Sequence, residues 1–72
     1  MSDSFDVTKL IGMKLSDAEA YAKSFHKRRN VRPVKINGEH QFTFHDYDSY
    51  RTNVAISRTE AGDIITAYVD DG

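Results

Sequence analysis

The sequence predicts an α+β domain in which one helix packs on a small mixed β-sheet that carries a long exposed binding loop. Three observations predict it. Residues 15–29 hold one apolar stripe at helical spacing. Three short apolar runs, at 31–36, 53–58 and 64–69, read as strands. Between the first two runs lies a segment, 37–53, that is polar and aromatic at once and too long for a simple turn.

Length sets the frame. Seventy-two residues make a single domain, and a chain of this size buries roughly 60% of the surface its unfolded form exposes. That leaves little room for an enclosed pocket with several catalytic layers, so a binding module is expected rather than an enzyme. There is no cysteine, hence no disulfide staple and no thiolate metal site. A cytoplasmic setting is the mild preference, although secreted proteins without cysteine exist. No apolar run approaches the roughly 18 residues that suggest a membrane span. The first residues, Met1-Ser2-Asp3-Ser4-Phe5-Asp6, are acidic and lack the basic and apolar regions of a secretory signal.

Taken in order, residues 1–6 are polar and expected to be loose. Val7, Leu10 and Ile11 pin the next segment to a core, and Gly12 punctuates it. The helix follows over 15–29. Leu15, Ala18, Ala22 and Phe25 step by three and four, and Tyr21 widens the stripe. Ser16-Asp17-Ala18-Glu19 fits a capping box. Lys27, Arg28 and Arg29 suit the negative end of the helix dipole, and Asn30 suits a left-handed stop.

In the run 31–36, Val34 and Ile36 are expected on one face and Val31 and Pro33 on the other. Pro33 has no N–H to give, so it belongs where one is not needed. Asn37-Gly38 is a turn signal, read either as a two-residue hairpin or as the bend that launches a long loop. Phe42 and Phe44 alternate with Gln41 and Thr43, which suits the hairpin. Val54 and Ile56 face one way in the second strand, residues 60–63 form a hairpin loop, and Ile64 and Ala67 complete the expected core.

At this point the chain resembles the potato inhibitor I family of serine protease inhibitors, especially its small bacterial relatives. The likeness runs from about Leu10 to Gly72. Leu10-Ile11-Gly12 followed by Asp17-Ala18-Glu19-Ala20 looks like the family's Leu-Val-Gly lead-in and Glu-Ala-rich helix. Val31-Arg32-Pro33-Val34 resembles its first core strand, and Asn37-Gly38-Glu39 its Asp-Gly-Glu-like turn. His45-Asp46-Tyr47-Asp48-Ser49-Tyr50-Arg51-Thr52-Asn53-Val54 aligns without gaps to a family stretch of the form Met-Asp/Glu-Tyr-Arg-x-Asp-Arg-x-Asn/Arg-Val. Gly72 matches the family's usual ending.

The resemblance implies a specific arrangement. In the family the long segment lies in a protease active site like a substrate. By position the contact loop here is Thr43, Phe44, His45, Asp46 and Tyr47, and the reactive bond joins His45 to Asp46. Basic side chains on the following strand brace that loop. Arg51 and Asn53 fall on the two bracing positions, and Arg51 is expected to pair with Asp46, Asp48 or the Gly72 carboxylate. Such a loop loses less conformational entropy on docking, and an arginine fork suits the task because it can hold two oxygens in fixed geometry. The chain departs from the family at His45, where Met or Leu is commoner, at Phe44, where a threonine-like residue is usual, and at Asp48 and Tyr50, which replace a basic and an acidic residue.

Other chemistries are weaker. His40, His45, Asp46 and Asp48 match no standard metal spacing, and no serine sits in a nucleophile-elbow pattern. No metal, cofactor or catalytic residue is therefore expected. Net charge is −1, and the cluster Lys27, Arg28, Arg29 and Arg32 is more simply a solvated helix end than a phosphate-binding surface. The expected partner is a protein, foremost a serine protease, with no membrane and no nucleic acid, and the chain itself a monomer or weak dimer. The alternative is a non-inhibitory regulatory module on the same scaffold, binding a cellular protein through its aromatic loop.

Overall fold

A computed structural model of the chain describes residues 5–41 and 46–72. One helix, α1 (Leu15–Lys23), packs on a four-stranded sheet of β1 (Asn30–Ile36), β2 (Glu39–His40), β3 (Arg51–Thr59) and β4 (Gly62–Asp71). The strand order is β2-β1-β3-β4. β1 and β3 are parallel, whereas β2 and β4 run antiparallel to their neighbours. This is a small α+β domain with a mixed sheet.

The lead-in is locally specified. Asp6 caps a 3-10 turn, Val7–Leu10, by accepting from the Thr8 backbone N–H at 3.0 Å and the Thr8 hydroxyl at 2.7 Å. Those bonds hold the Asp6 carboxyl below its ordinary range. Gly12, at φ +91°, then turns the chain so that its N–H reaches the Ile65 carbonyl at 2.8 Å. The Ile65 N–H returns to the Met13 carbonyl at 2.9 Å, and Lys14 bridges Ile64. The lead-in thus covers part of the outer edge of β4, which would otherwise be open to another strand.

The helix is shorter than its apolar stripe. It starts after Lys14, which gives no side-chain cap, so Ser16 lies inside the first turn and the expected capping box does not form. It stops at Lys23 rather than Arg29. Ser24 turns its hydroxyl back to the Tyr21 carbonyl, Arg28 N–H donates to His26 Nδ1 at 3.1 Å, and the Asn30 amide donates to the Arg28 carbonyl at 3.2 Å. These side-chain bonds compete with helical ones. They free Phe25 to meet Phe5 and Tyr21 edge-to-face, at centroid distances of 5.5 and 5.1 Å, while Phe5 and Tyr21 lie tilted to each other at 5.8 Å.

The core is one layer between helix and sheet. Leu10, Ala18, Ala22, Val31, Val54, Ile56 and Ile65 are buried together, and Phe5, Met13, Leu15, Tyr21 and Ile36 pack around them. Two expectations about faces fail for the same reason. In β1 the register against β3 shifts between Pro33 and Lys35, leaving Val34 as an extra residue. The bulge keeps Val31 and Ile36 on the helix side and puts Val34 with Arg32 at a cleft on the opposite side. In β4 two further shifts against β3 place Ile65 opposite Ile56, so Ile65 is the buried residue, Ile64 is half-buried and Ala67 is exposed. Pro33 is tolerated because β2 pairs only with Lys35 and Ile36.

The Asn37-Gly38 hairpin forms, with φ +52° and +85° as a two-residue mirror-image turn requires. Its return strand is only Glu39–His40. The β3–β4 hairpin is tighter than expected, turning at Glu60-Ala61.

Gly12 has nothing within 4 Å of an added Cβ, so replacing it isolates the backbone cost of its positive φ. Gly12→Ala is expected to destabilise the fold by about 1–2 kcal/mol, measured as a lower urea midpoint at unchanged m-value.

Candidate loop-bracing site

Parallel pairing creates the site. β1 ends at Ile36, opposite Ile56, yet β3 must start at Arg51, opposite Asn30. The connection therefore has to travel back roughly 20 Å, six residues at strand rise. Segment 37–50 does this. It leaves through the Asn37-Gly38 turn, and Gln41 N–H still holds the Val34 carbonyl at 2.8 Å. It reappears at Asp46, beside the starting ends of both parallel strands.

An Asp turn leads the segment into β3. Asp48 accepts from the Tyr50 N–H at 2.9 Å through its side chain and from the Arg51 N–H at 3.0 Å through its carbonyl. The Asn30 N–H then reaches the Tyr50 carbonyl at 3.0 Å, opening the β1–β3 ladder. The Tyr50 ring is stacked on His26, with centroids 4.4 Å apart at 14°, and the Arg28 guanidinium lies 5.4 Å from its centre.

Arg51 is the centre of this corner. Its Nη2 donates to Asp46 Oδ2 at 3.2 Å, and its Nη1 donates to the Asp46 carbonyl at 3.2 Å. Nη1 also lies 3.5 Å from Asp46 Oδ1 and from the Gly72 carbonyl, and Asp48 Oδ2 is 3.7 Å from Nη2. The Gly72 N–H donates to the Arg51 carbonyl at 2.9 Å, tying the end of β4 to the same residue. The Arg51 side chain is 13% exposed, against 64% for Asp46. A planar fork can serve a carboxylate and a carbonyl at once, which an ammonium does less well.

Hydrogen bonding from Arg51 is the main reason the Asp46 carboxyl sits below its ordinary value of 3.8; a backbone N–H bond, the Arg51 charge and, more weakly, Arg32 add to it. The sign follows. A depressed folded value contributes order that is complete above 3.8 and is lost as pH falls through the lowered value. With Asp46 this exposed, the effect belongs to the segment and not to the stability of the whole fold.

Gly72 has a steric part. Its φ is +115°, and a Cβ there would lie 2.9 Å from the Tyr47 ring. Only glycine lets that ring rest on the end of β4. Tyr47 as a whole is still 78% exposed.

Of the expected contact residues, Asp46 and Tyr47 are brought to this corner, whereas Thr43, Phe44 and His45 lie outside the described residues, as does Phe42. Arg51 and Gly72 meet Asp46 and Tyr47. The Asn53 side chain directs its hydrogen bonds elsewhere, accepting from Arg32 Nε at 3.1 Å and donating to Asp70 Oδ1 at 2.8 Å. Arg32 itself comes within 3.9 Å of Asp46 Oδ1 through Nη1. The sequence marks Arg32 as part of the first strand and of a basic cluster, with no partner specified. Its true neighbours depend on parallel register, and no local signal carries that.

The basic cluster is largely engaged within the molecule. Arg28 lies over Tyr50, Arg29 lies 4.4 Å from the centre of the Phe5 ring, and Arg32 meets Asn53 and Asp46. Beside the clamp, a shallow cleft of about 410 Å³ is lined by Arg32, Val34, His40, Tyr47, Asn53 and Val69 among others. Among the described residues no group of three potential ligands is placed to hold a metal ion, and no helix is long and apolar enough to cross a membrane. Compared with protein-family models, with curated proteins and with solved structures, the chain finds no match in any of the three.

Removing the fork should release the carboxylate. In Arg51→Met the Asp46 titration midpoint, followed by carboxyl carbon NMR, is expected to move up toward 3.8. An unmoved midpoint would show that Arg51 does not hold Asp46 in solution.

Proposed function

We propose that this protein is a substrate-like inhibitor of serine proteases, with segment 43–47 as its contact loop and His45–Asp46 as the bond it presents. One observation carries the reading: Arg51, fixed at the start of β3, holds both the carboxylate and the carbonyl of Asp46. Asp46 is the residue that would follow the scissile bond.

The chemistry follows from that position. The protease serine attacks the His45 carbonyl, and its hydroxyl proton passes through the enzyme's base to the departing Asp46 nitrogen. An acyl-enzyme forms on His45, and Asp46 becomes a new amine. In an ordinary substrate this amine diffuses away and water completes hydrolysis. Here Asp46 stays tethered to Arg51, and Tyr47 rests on Gly72. The amine remains beside the acyl carbon at high effective concentration and re-forms the bond. Holding Asp46 in place before binding also lowers the entropy cost of docking. The exposed Tyr47 ring adds a contact surface suited to a protein partner.

The size and architecture agree with this role. The cleft beside the clamp is shallow. The work falls to a surface segment that Arg51 holds at Asp46.

The test is a panel of trypsin-, chymotrypsin- and subtilisin-like enzymes. Inhibition is expected below micromolar concentration for at least one; its absence throughout would overturn the proposal and leave a non-inhibitory binding module. Where inhibition is found, Arg51→Ala should weaken it roughly tenfold or more and turn the chain into a substrate cut after His45. His45→Leu should redirect inhibition toward proteases with apolar primary pockets.

A further inference from the structure

We propose that Arg32 is a second positioning residue for Asp46, forming with Arg51 a guanidinium clamp built from two adjacent strands, and that Asn53 acts by aiming Arg32. For its consequence the proposal rests on the inhibitor reading; for its geometry it does not.

Register brings the parts together. Arg32 and Asn53 are partners across the parallel β1–β3 pair, and Asn53 and Asp70 are partners across the antiparallel β3–β4 pair. Three side chains on three neighbouring strands therefore form one row. Asp70 accepts from the Asn53 amide, and the Asn53 carbonyl oxygen accepts from Arg32 Nε. With Nε fixed, the planar guanidinium has little freedom left, and its Nη1 points at Asp46 Oδ1 from 3.9 Å. That separation is an ion pair rather than a hydrogen bond. Arg51 approaches Asp46 from the next strand, and Asp48 shares the Arg51 fork. His40, Asp70 and Asp71 line the same cleft as Asp46.

The residue types suit the task. Asn53 is 5% exposed and has both ends of its amide occupied. A buried polar group satisfied on both sides has one defined orientation. An aspartate there would draw the Arg32 charge away from Asp46 and repel Asp70. A neutral amide orients the guanidinium without neutralising it. Arg32 is 26% exposed, covered enough to be held and open enough to reach the segment. A lysine has no Nε–H donor separate from its charged tip, so it could serve Asn53 or Asp46 but not both.

The experiment uses the full chain with Arg32→Met, Arg32→Lys, Asn53→Leu and the Arg32→Met/Asn53→Leu double variant. Carboxyl carbon NMR follows Asp46, urea unfolding reports the fold, and cleavage at 45–46 is timed with an inhibited protease. Arg32→Met is expected to move the Asp46 midpoint upward, by less than Arg51→Met, and to speed cleavage about tenfold. Arg32→Lys should fall between wild type and Arg32→Met. Asn53→Leu should reproduce part of the Arg32→Met effect and add nothing to it in the double variant. An unmoved midpoint in a normally folded Arg32→Met, or additive effects in the double variant, would overturn the clamp. If Arg32→Met fails to fold, the same midpoint comparison with Arg32→Lys decides. If the midpoint moves but no protease is inhibited, the clamp stands and the inhibitor reading falls.

Discussion

The parallel pairing of β1 with β3 is the constraint on which the rest of this structure depends. Two antiparallel strands can be joined by two residues, whereas two parallel strands need a connection that returns along the whole sheet. In many α/β proteins a helix makes that return. Here α1 comes before β1, so the return falls to segment 37–50. Where the segment meets the sheet corner, at residues 46–50, its backbone polar groups need partners. Side chains at the starting ends of β1 and β3 supply the partners. Arg51, Arg32 and Asp48 gather at that corner because the parallel register puts those strand ends together.

The division of labour between the sheet faces follows. The helix side carries the apolar core, with alanines at both buried helix positions and branched residues on the strands. The opposite side carries the row Arg32, Asn53 and Asp70, with Asn53 nearly as buried as the core. Exposed ion pairs contribute little to global stability. This row is better understood as fixing one arrangement of the corner than as stabilising the fold, because each member's partner lies on a neighbouring strand. Gly72 adds steric definition by leaving room only for the Tyr47 ring.

Much of the local structure was legible in the residues. The helix centre, the three principal strands and the Asn37-Gly38 turn follow from periodicity and turn chemistry. The errors lie where tertiary contacts override a local signal. Phe25 continues the helical stripe in sequence but leaves the helix for Phe5 and Tyr21. Ser16 has the right neighbours for a capping box, yet the bridge from Lys14 to Ile64 sets where the helix starts. Strict alternation put Val34 and Ile36 together and made Ala67 a core residue. Bulges in β1 and β4 shift that alternation by one, and no composition rule marks where a bulge falls.

Sequence by itself determined the α+β class and the long segment between two strands; the family resemblance pointed to Arg51 as a brace, with Asp46, Asp48 and the Gly72 carboxylate all open as its partner. The class and the segment depend on periodicity and short-range spacing, which the linear chain carries. Tertiary structure alone decided that Arg32 reaches the Asp46 carboxylate, that Asn53 holds Arg32, and that Gly72 meets Tyr47. Each of these contacts joins residues more than ten positions apart, through strand register and bulge position. Register is a property of the assembled sheet, fixed by which faces can be buried together, and it becomes definite only when the helix closes over one face.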